Sequence, residues 1–312
     1  KTLSLPDVSA PHGREDVVKL RFFSNTPPMR ILLFSRSRDG RAPEGLLRLA
    51  AAIDRHGFEW AANREIADAA GAAHSYGERV GPAERADLMI CYGGDGTLLE
   101  GVHRLGGAPI PVLGINAGHL GFLTGAPSGD LDTLFDRLAA GDFSVEPRTM
   151  LRVEGDFGAE PASKLALNEF TIQRHGAEMI SVETYVDAQM VATYHGDGVI
   201  VSTPTGSTAY ALSAGGPVVA PTCSCLVLSP LAPHNLTMRP VVIPDTARIE
   251  LRLRARRAEG FVTLDNRAYP AGAASVFTVR RAEERILLAL PHNISFYDTL
   301  RNKMMWGIDL RS

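Results

Sequence analysis

The chain has 312 residues, with 32 Lys and Arg set against 35 Asp and Glu, a net charge of −3. That near-neutral balance argues against a nucleic-acid scaffold, and the length exceeds what one hydrophobic core usually fills, so two domains are expected. Only four of the basic residues are lysines, Lys1, Lys19, Lys164 and Lys303, and none follows a glycine loop, which excludes a Gly-Lys-Ser/Thr P-loop.

Residues 1–28 lack an apolar secretory core and clear periodicity, and end in Pro27-Pro28. They read as a loose extension, with the folded unit starting at Met29. Residues 30–34 form an apolar first strand. A helix opened by Pro43 follows, with Leu46, Leu47, Leu49, Ala50 and Ile53 as its apolar stripe and Gly57 at its C-terminal end. Leu88–Tyr92 is a second strand, succeeded by Gly93-Gly-Asp-Gly-Thr97 and a helix over Leu98–Leu105. Ile110–Ile115 is another strand, and Ser128 is placed to cap a helix carrying Leu131, Leu134, Phe135 and Leu138. This alternation predicts an α/β N-terminal domain with an open, mostly parallel sheet over residues 29–141.

Beyond Gly141 helical periods become scarce. Leu165–Arg174, Met179–Val186, Met190–Ser202 and Cys225–Leu228 are strand-like, and Ile249–Ala255 alternates apolar residues with Arg252, Arg254 and Arg256, read as a solvated strand face. A β-rich, β-sandwich-like C-terminal domain over 142–293 is expected, with a helical tail near Tyr297–Trp306. Cys91, Cys223 and Cys225 are too few for a disulfide framework and read as small buried hydrophobes, which suits a reducing cytoplasm. Trp60 and Trp306 read as packing residues, and His119 and His234 as makers of local structural hydrogen bonds. Leu105–Gly129 and Gly198–Met238 contain no Asp, Glu, Lys or Arg. Both are too rich in Gly, Pro, Ser and Thr for membrane spans, and read as turn-rich walls of a site.

The chemistry centres on Gly93-Gly94-Asp95-Gly96-Thr97. A strand ends, glycines allow close backbone approach, and a helix begins, so free N–H groups face an anion without any lysine. Asp95 stands at the carboxyl end of a sheet strand, where open α/β sheets place their ligands. The same residues also suit a plain tight turn. Gly114–Leu123 is a strand entering a second glycine turn. Asp197–Ser213 begins as a strand and ends in small hydroxyl residues around Gly206, with Tyr210 offering a ring. Asn168-Glu169 is a polar pair in an apolar strand, and by itself suits one exposed and one satisfied side chain.

Together these segments resemble the NAD kinase family, from Met29 to the C-terminus. The carriers are GGDGT at 93–97, Asn168-Glu169, the Asp197–Pro217 block, Ser229–Pro240 and the tail Phe296–Trp306. The resemblance implies transfer of the ATP γ-phosphate to the 2′-hydroxyl of the adenosine ribose of NAD, giving NADP, with Mg²⁺ arriving on the nucleotide and no dedicated metal cage. It implies that Asp95 orients or deprotonates the hydroxyl beside Gly96. Asn168 and Glu169 would hold the adenosine end, and Thr205, Thr208, Ala209, Tyr210 and Ser213 would line the dinucleotide pocket. His195 and Asp197 would approach the nicotinamide half or a neighbouring subunit's ligand. Also implied are a cytoplasmic homo-oligomer, dimer or tetramer, with no nucleic-acid or membrane partner, and a tail, residues 294–312, that packs on the first domain. Where the family usually has Asp-Gly-Gln or a near variant, this chain has Asp265-Asn266-Arg267, with Asn266 expected to tolerate a left-handed turn and the cationic Arg267 replacing a neutral amide that the family's ligand contact would use. Arg104 is either a phosphate partner or a surface arginine. Two other readings remain: a lipid or sugar kinase sharing GGDGT, and a non-catalytic NAD-binding regulator.

Overall fold

The computed structural model describes residues 29–36, 43–81, 85–118, 121–255, 260–291 and 295–307. In chain order its first half comprises β1 (Arg30–Phe34), α1 (Glu44–Arg55), β2 (Glu59–Asn63), α2 (Arg64–Ala70), β3 (Ser75–Tyr76), β4 (Leu88–Gly93), α3 (Asp95–Leu105), β5 (Val112–Asn116), β6 (Ala126–Pro127) and α4 (Leu131–Ala139). Next come β7 (Phe143–Gly155), β8 (Leu165–Ala166), β9 (Glu169–Arg174), β10 (Ile180–Val186), β11 (Gln189–Gly196) and β12 (Gly198–Ser202). A 3₁₀ turn (Thr205–Thr208) leads to α5 (Tyr210–Ser213), β13 (Cys225–Leu231), β14 (Val241–Pro244), β15 (Ile249–Arg254), β16 (Gly260–Leu264), β17 (Arg267–Ala271), β18 (Val276–Pro291) and α6 (Phe296–Met304).

The parallel strands lie in the order β5-β4-β1-β2-β3. Alternation along them sends side chains to two layers. Ile31, Leu33, Leu88 and Ile90 meet α1 and α4 through Leu46, Leu49, Ile53, Phe135 and Leu138. Leu32, Phe34, Met89 and Cys91 meet α3 through Leu98, Leu99, Val102 and Leu105. The chain runs from β1 outward to β2 and β3, then returns so that β4 lies on the other side of β1. The crevice at the carboxyl ends of β1 and β4 is therefore a topological switch point.

The sheet does not stop at Gly141. β18 pairs in parallel with β5 through Leu288 and Ala289, and antiparallel with β7 and β15, so one 12-stranded sheet runs through both halves of the chain. A second, six-stranded antiparallel sheet, β14-β13-β12-β9-β16-β17, packs against its far part. Phe170, Ile172, Val199, Val201, Leu226 and Val262 of the second sheet share a core with Leu151, Val153, Val182, Leu251, Phe277 and Val279 of the first. This face-to-face burial is the expected β-sandwich.

Several local expectations are corrected. α3 starts at Asp95 rather than Leu98, and Asp130, not Ser128, caps α4, accepting from the Thr133 N–H at 3.1 Å. Met190–Ser202 is two strands in different sheets, β11 and β12, broken at Asp197. Leu165–Arg174 is likewise broken, at Leu167-Asn168. Cys223 is exposed and Cys225 half-buried, so only Cys91 is the small core hydrophobe expected. Trp306 is exposed, whereas Trp60 packs partly against the core and donates to Asp54. His119 and Arg256 lie outside the described residues. His234 is exposed, and its backbone N–H donates to the His195 carbonyl. Arg252 and Arg254 pair with Glu250 and Glu183 on a solvated face, as expected for that strand. No helix among the described residues is long and apolar enough to cross a membrane.

Candidate functional site

The GGDGT segment crosses from β4 into α3 at the switch point. Gly93 has φ +155°, and a Cβ there would lie 2.4 Å from Thr97 Oγ1, so no side chain is admitted. Gly94 is the N-cap and is exposed; its carbonyl accepts from the Thr97 and Leu98 N–H groups. Asp95 is the first residue of α3, and its carboxylate is held firmly. Oδ2 accepts from the Phe122 N–H at 2.8 Å, while Oδ1 accepts from the N–H groups of Leu123 at 3.0 Å and Thr124 at 3.2 Å and from the Thr124 hydroxyl at 3.2 Å. The second glycine turn is thus the seat of the aspartate. Gly121 makes this possible, because a Cβ there would stand 1.8 Å from Asp95 Oδ1.

Two cations reach this turn from outside the motif, and sequence reasoning assigned neither to the site. Arg36, directly after β1, donates to the Gly96 carbonyl at 2.9 Å and to Glu100 at 2.7 Å. Its signal was a basic residue at the carboxyl end of the first strand. Lys303 of α6 stands 3.5 Å from Asp95 Oδ2 and 4.6 Å from the centre of the Phe122 ring. Arg104 is not the surface arginine of the alternative reading. It pairs with Glu65 at 2.7 Å, lies over the Phe34 ring and is largely covered.

Asn168 and Glu169 are both buried, each 7% exposed, against the expectation of one exposed side chain. The cause is Asp265, whose carboxylate accepts from the N–H groups of Leu167, Asn168 and Glu169 at 2.9, 2.7 and 3.1 Å. It thereby interrupts the strand and fixes the pair. Asp265 itself, rather than Asn266, takes the left-handed position, at φ +53°. On its other side His103 of α3 lies 3.2 Å from Asp265 Oδ2, linking the GGDGT helix to the Asn-Glu segment. Leu98 and Leu99 of α3 share a core with Leu165 and Leu167. Burial, then the nearby Asp265 carboxylate, raise the Glu169 pKa to about 8, although the Tyr210 N–H favours its ionised form. Glu169 Oε2 is buried without a hydrogen-bond partner.

The hydroxyl-rich block folds onto this pair. The Thr203 N–H donates to the Asn168 carbonyl and its hydroxyl to the Leu167 carbonyl at 2.6 Å. Thr205 is buried, Thr208 and Ala209 are half-buried, and Tyr210 and Ser213 are exposed. Asp197 pairs with Arg174 at 2.5 Å, and His195, exposed on edge strand β11, contacts Ser181 at 2.7 Å through Nδ1. Arg267 donates to the carbonyls of Ser163 and Leu165 at 3.3 and 2.9 Å, so it braces the backbone before the Asn-Glu pair. No cluster of three or more His, Cys, Asp or Glu residues suited to a metal occurs among the described residues.

Residues 71–143 match the family model of the ATP-NAD kinase N-terminal domain, and residues 167–289 that of the ATP-NAD kinase C-terminal domain. An NAD kinase of Porphyromonas gingivalis is 42% identical over 231 residues, 73% of this chain and 79% of that protein. One from Cytophaga hutchinsonii is 38% identical over 229 residues, 73% of this chain and 78% of that protein. Yeast NADH kinase complexed with NADH has a similar fold, with TM-score 0.80 and 20% identity over 92% of this chain and 90% of that one. An NAD kinase from Archaeoglobus fulgidus in complex with ATP superposes with TM-score 0.70 and 26% identity, covering 89% of this chain and 99% of that one.

Proposed function

The chain belongs to the NAD kinase family and phosphorylates NAD with ATP, and from that premise we propose how its own residues carry the reaction. The acceptor is the 2′-hydroxyl of the adenosine ribose, presented to Asp95. Asp95 Oδ1 already accepts three hydrogen bonds, whereas Oδ2 accepts one N–H and faces Lys303, so Oδ2 is the oxygen with capacity to receive the hydroxyl proton. Phosphoryl transfer has a loose transition state, so a rigidly aimed carboxylate serves better than a strong base. Mg²⁺ enters with the triphosphate as part of the substrate and neutralises its charge.

The observation that carries the reading is Glu169. A carboxyl oxygen buried without a partner beside a block of hydroxyl groups costs stability unless a ligand completes it. A ribose hydroxyl or an adenine amino group would do so. Asn168, Thr205, Thr208, Ala209, Tyr210 and Ser213 line the same dinucleotide pocket in this reading, and Asp197 and His195 lie toward its nicotinamide end. A lipid or sugar acceptor gives Glu169 and this block no role. His195 shares edge strand β11 with exposed Met190 and Val191, which supports a homo-oligomer joined at that edge. Cytoplasmic location belongs to the same reading. Purified protein incubated with NAD, ATP and Mg²⁺ is expected to yield NADP by mass, and Asp95→Asn to lose at least about 100-fold in kcat. Equal rates from parent and variant would remove Asp95 from the mechanism.

A further inference from the structure

We propose that Lys303, delivered by the C-terminal helix, is the cation that meets the transferred phosphoryl group. This rests on the reading of Asp95 as the acceptor-side residue. The GGDGT turn carries no glycine-loop lysine of its own. Of the four lysines, Lys1 and Lys19 lie outside the described residues, and Lys164 pairs with Glu154 and Glu160 at 3.1 and 3.0 Å. Lys303 alone among the described lysines reaches the GGDGT turn, from about 200 residues away in sequence.

The contact is built rather than incidental. Ser295 and Asp298 form a capping box that starts α6, and Leu300 and Thr299 are buried beneath it. Phe296 packs against Phe122 with the rings tilted by 39° and centroids 6.4 Å apart, and the Lys303 ammonium lies over the same Phe122 ring. Phe122 also gives its N–H to Asp95, so α6 and the Asp95 seat are one packed unit.

Asp95 does not depend on Lys303 to be held in place, since four N–H or O–H donors already point at its carboxylate. At 3.5 Å the ammonium is beyond a short hydrogen bond to Oδ2 and retains donors for another anion. Its side chain is 36% exposed, so it is accessible from solvent. The two neighbouring charge-free segments, 105–129 and 198–238, supply no competing cation, and Arg36 is already committed to Gly96 and Glu100. In the proposed step, the 2′-hydroxyl proton passes to Asp95 Oδ2 as the bond from the 2′-oxygen to the γ-phosphorus forms. The bond from that phosphorus to its bridging oxygen breaks, and ADP leaves with the electron pair. Lys303 keeps its proton throughout and hydrogen-bonds a γ-phosphoryl oxygen.

The test compares the parent protein with Lys303→Met, Lys303→Gln and Lys303→Arg, measuring kcat and KM for NAD and ATP and NAD binding by calorimetry. Both uncharged variants are expected to lose roughly 100-fold in kcat, with the NAD dissociation constant within threefold of the parent, and Lys303→Arg to recover at least tenfold over Met. Methionine keeps the stem over Phe122, and glutamine keeps a donor without charge. Retained NAD binding shows that the pocket is folded. An uncharged variant with kcat within threefold of the parent overturns the proposal, as does an arginine variant as slow as methionine. Asp95→Asn run in parallel separates the two readings: if it is inactive while Lys303→Met is fast, only the role of Lys303 falls.

Discussion

Replacing Glu169 by Gln leaves the shape of a buried side chain unchanged and removes its ability to ionise. In the folded protein the Glu169 carboxyl holds its proton up to about pH 8, against an ordinary value of 4.5, because it is buried and faces the Asp265 carboxylate. The folded state therefore binds the proton more tightly than the unfolded chain does. The stability linked to the neutral acid is complete below pH 4.5 and is lost as pH rises toward 8. At 1.36 kcal/mol per pH unit, the loss between pH 5 and 7.5 is roughly 3 kcal/mol. Glutamine has no proton to lose, so the stability of Glu169→Gln relative to the parent should grow by that amount over this interval. For a chain of this size this corresponds to about 5 °C in Tm. Urea unfolding of both proteins at four pH values measures it, and parallel curves would refute the buried ionisation. The same variant should bind NAD more weakly, trading ligand contact for stability at neutral pH.

Two further substitutions probe the supports of the site. Gly121→Ala forces a methyl group into the Asp95 seat and should lower kcat by about 100-fold or more while NAD binding, measured by calorimetry, changes little. Arg267→Gln restores the amide of the resembling family but gives up donors to the Ser163 and Leu165 carbonyls, and should cost roughly 1–2 kcal/mol in urea unfolding.

Most of the parallel half of the molecule was legible because β1, β4 and β5 are short apolar runs, and α1, α3 and α4 carry apolar stripes at helical spacing. The breaks at Leu167-Asn168 and Asp197 were not legible. Nothing local stops an apolar run at Leu167; a carboxylate 98 residues away removes its backbone N–H from the ladder. The GGDGT loop announced itself as a strand-to-helix turn, but the seat of Asp95 depends on a second turn, 121–124, whose N–H groups carry no side-chain signature. Lys303 was invisible for the same reason. Its role is set by where α6 docks, and local sequence says only that α6 is a helix. β2 and α2 were missed because Glu59–Asn63 lacks a continuous apolar run and α2 is seven residues long.

The path of β18 has a consequence for how the molecule is made. Its first residues complete the sandwich and its last ones lie beside β5, so the strand that joins the parallel set to the antiparallel strands is supplied by residues 288–289, after the whole second sheet in sequence. A chain emerging from the ribosome carries its entire GGDGT turn while Val112 and Leu113 of β5 still await their partner, since β6 pairs only with Ile115 and Asn116. That sheet closes only after the dinucleotide-binding half has been translated, and α6 follows it. Assembly order thus withholds Lys303 from Asp95 until nearly every other residue of the site exists, and a polypeptide cut short before residue 276 would display an unpaired edge rather than a smaller enzyme.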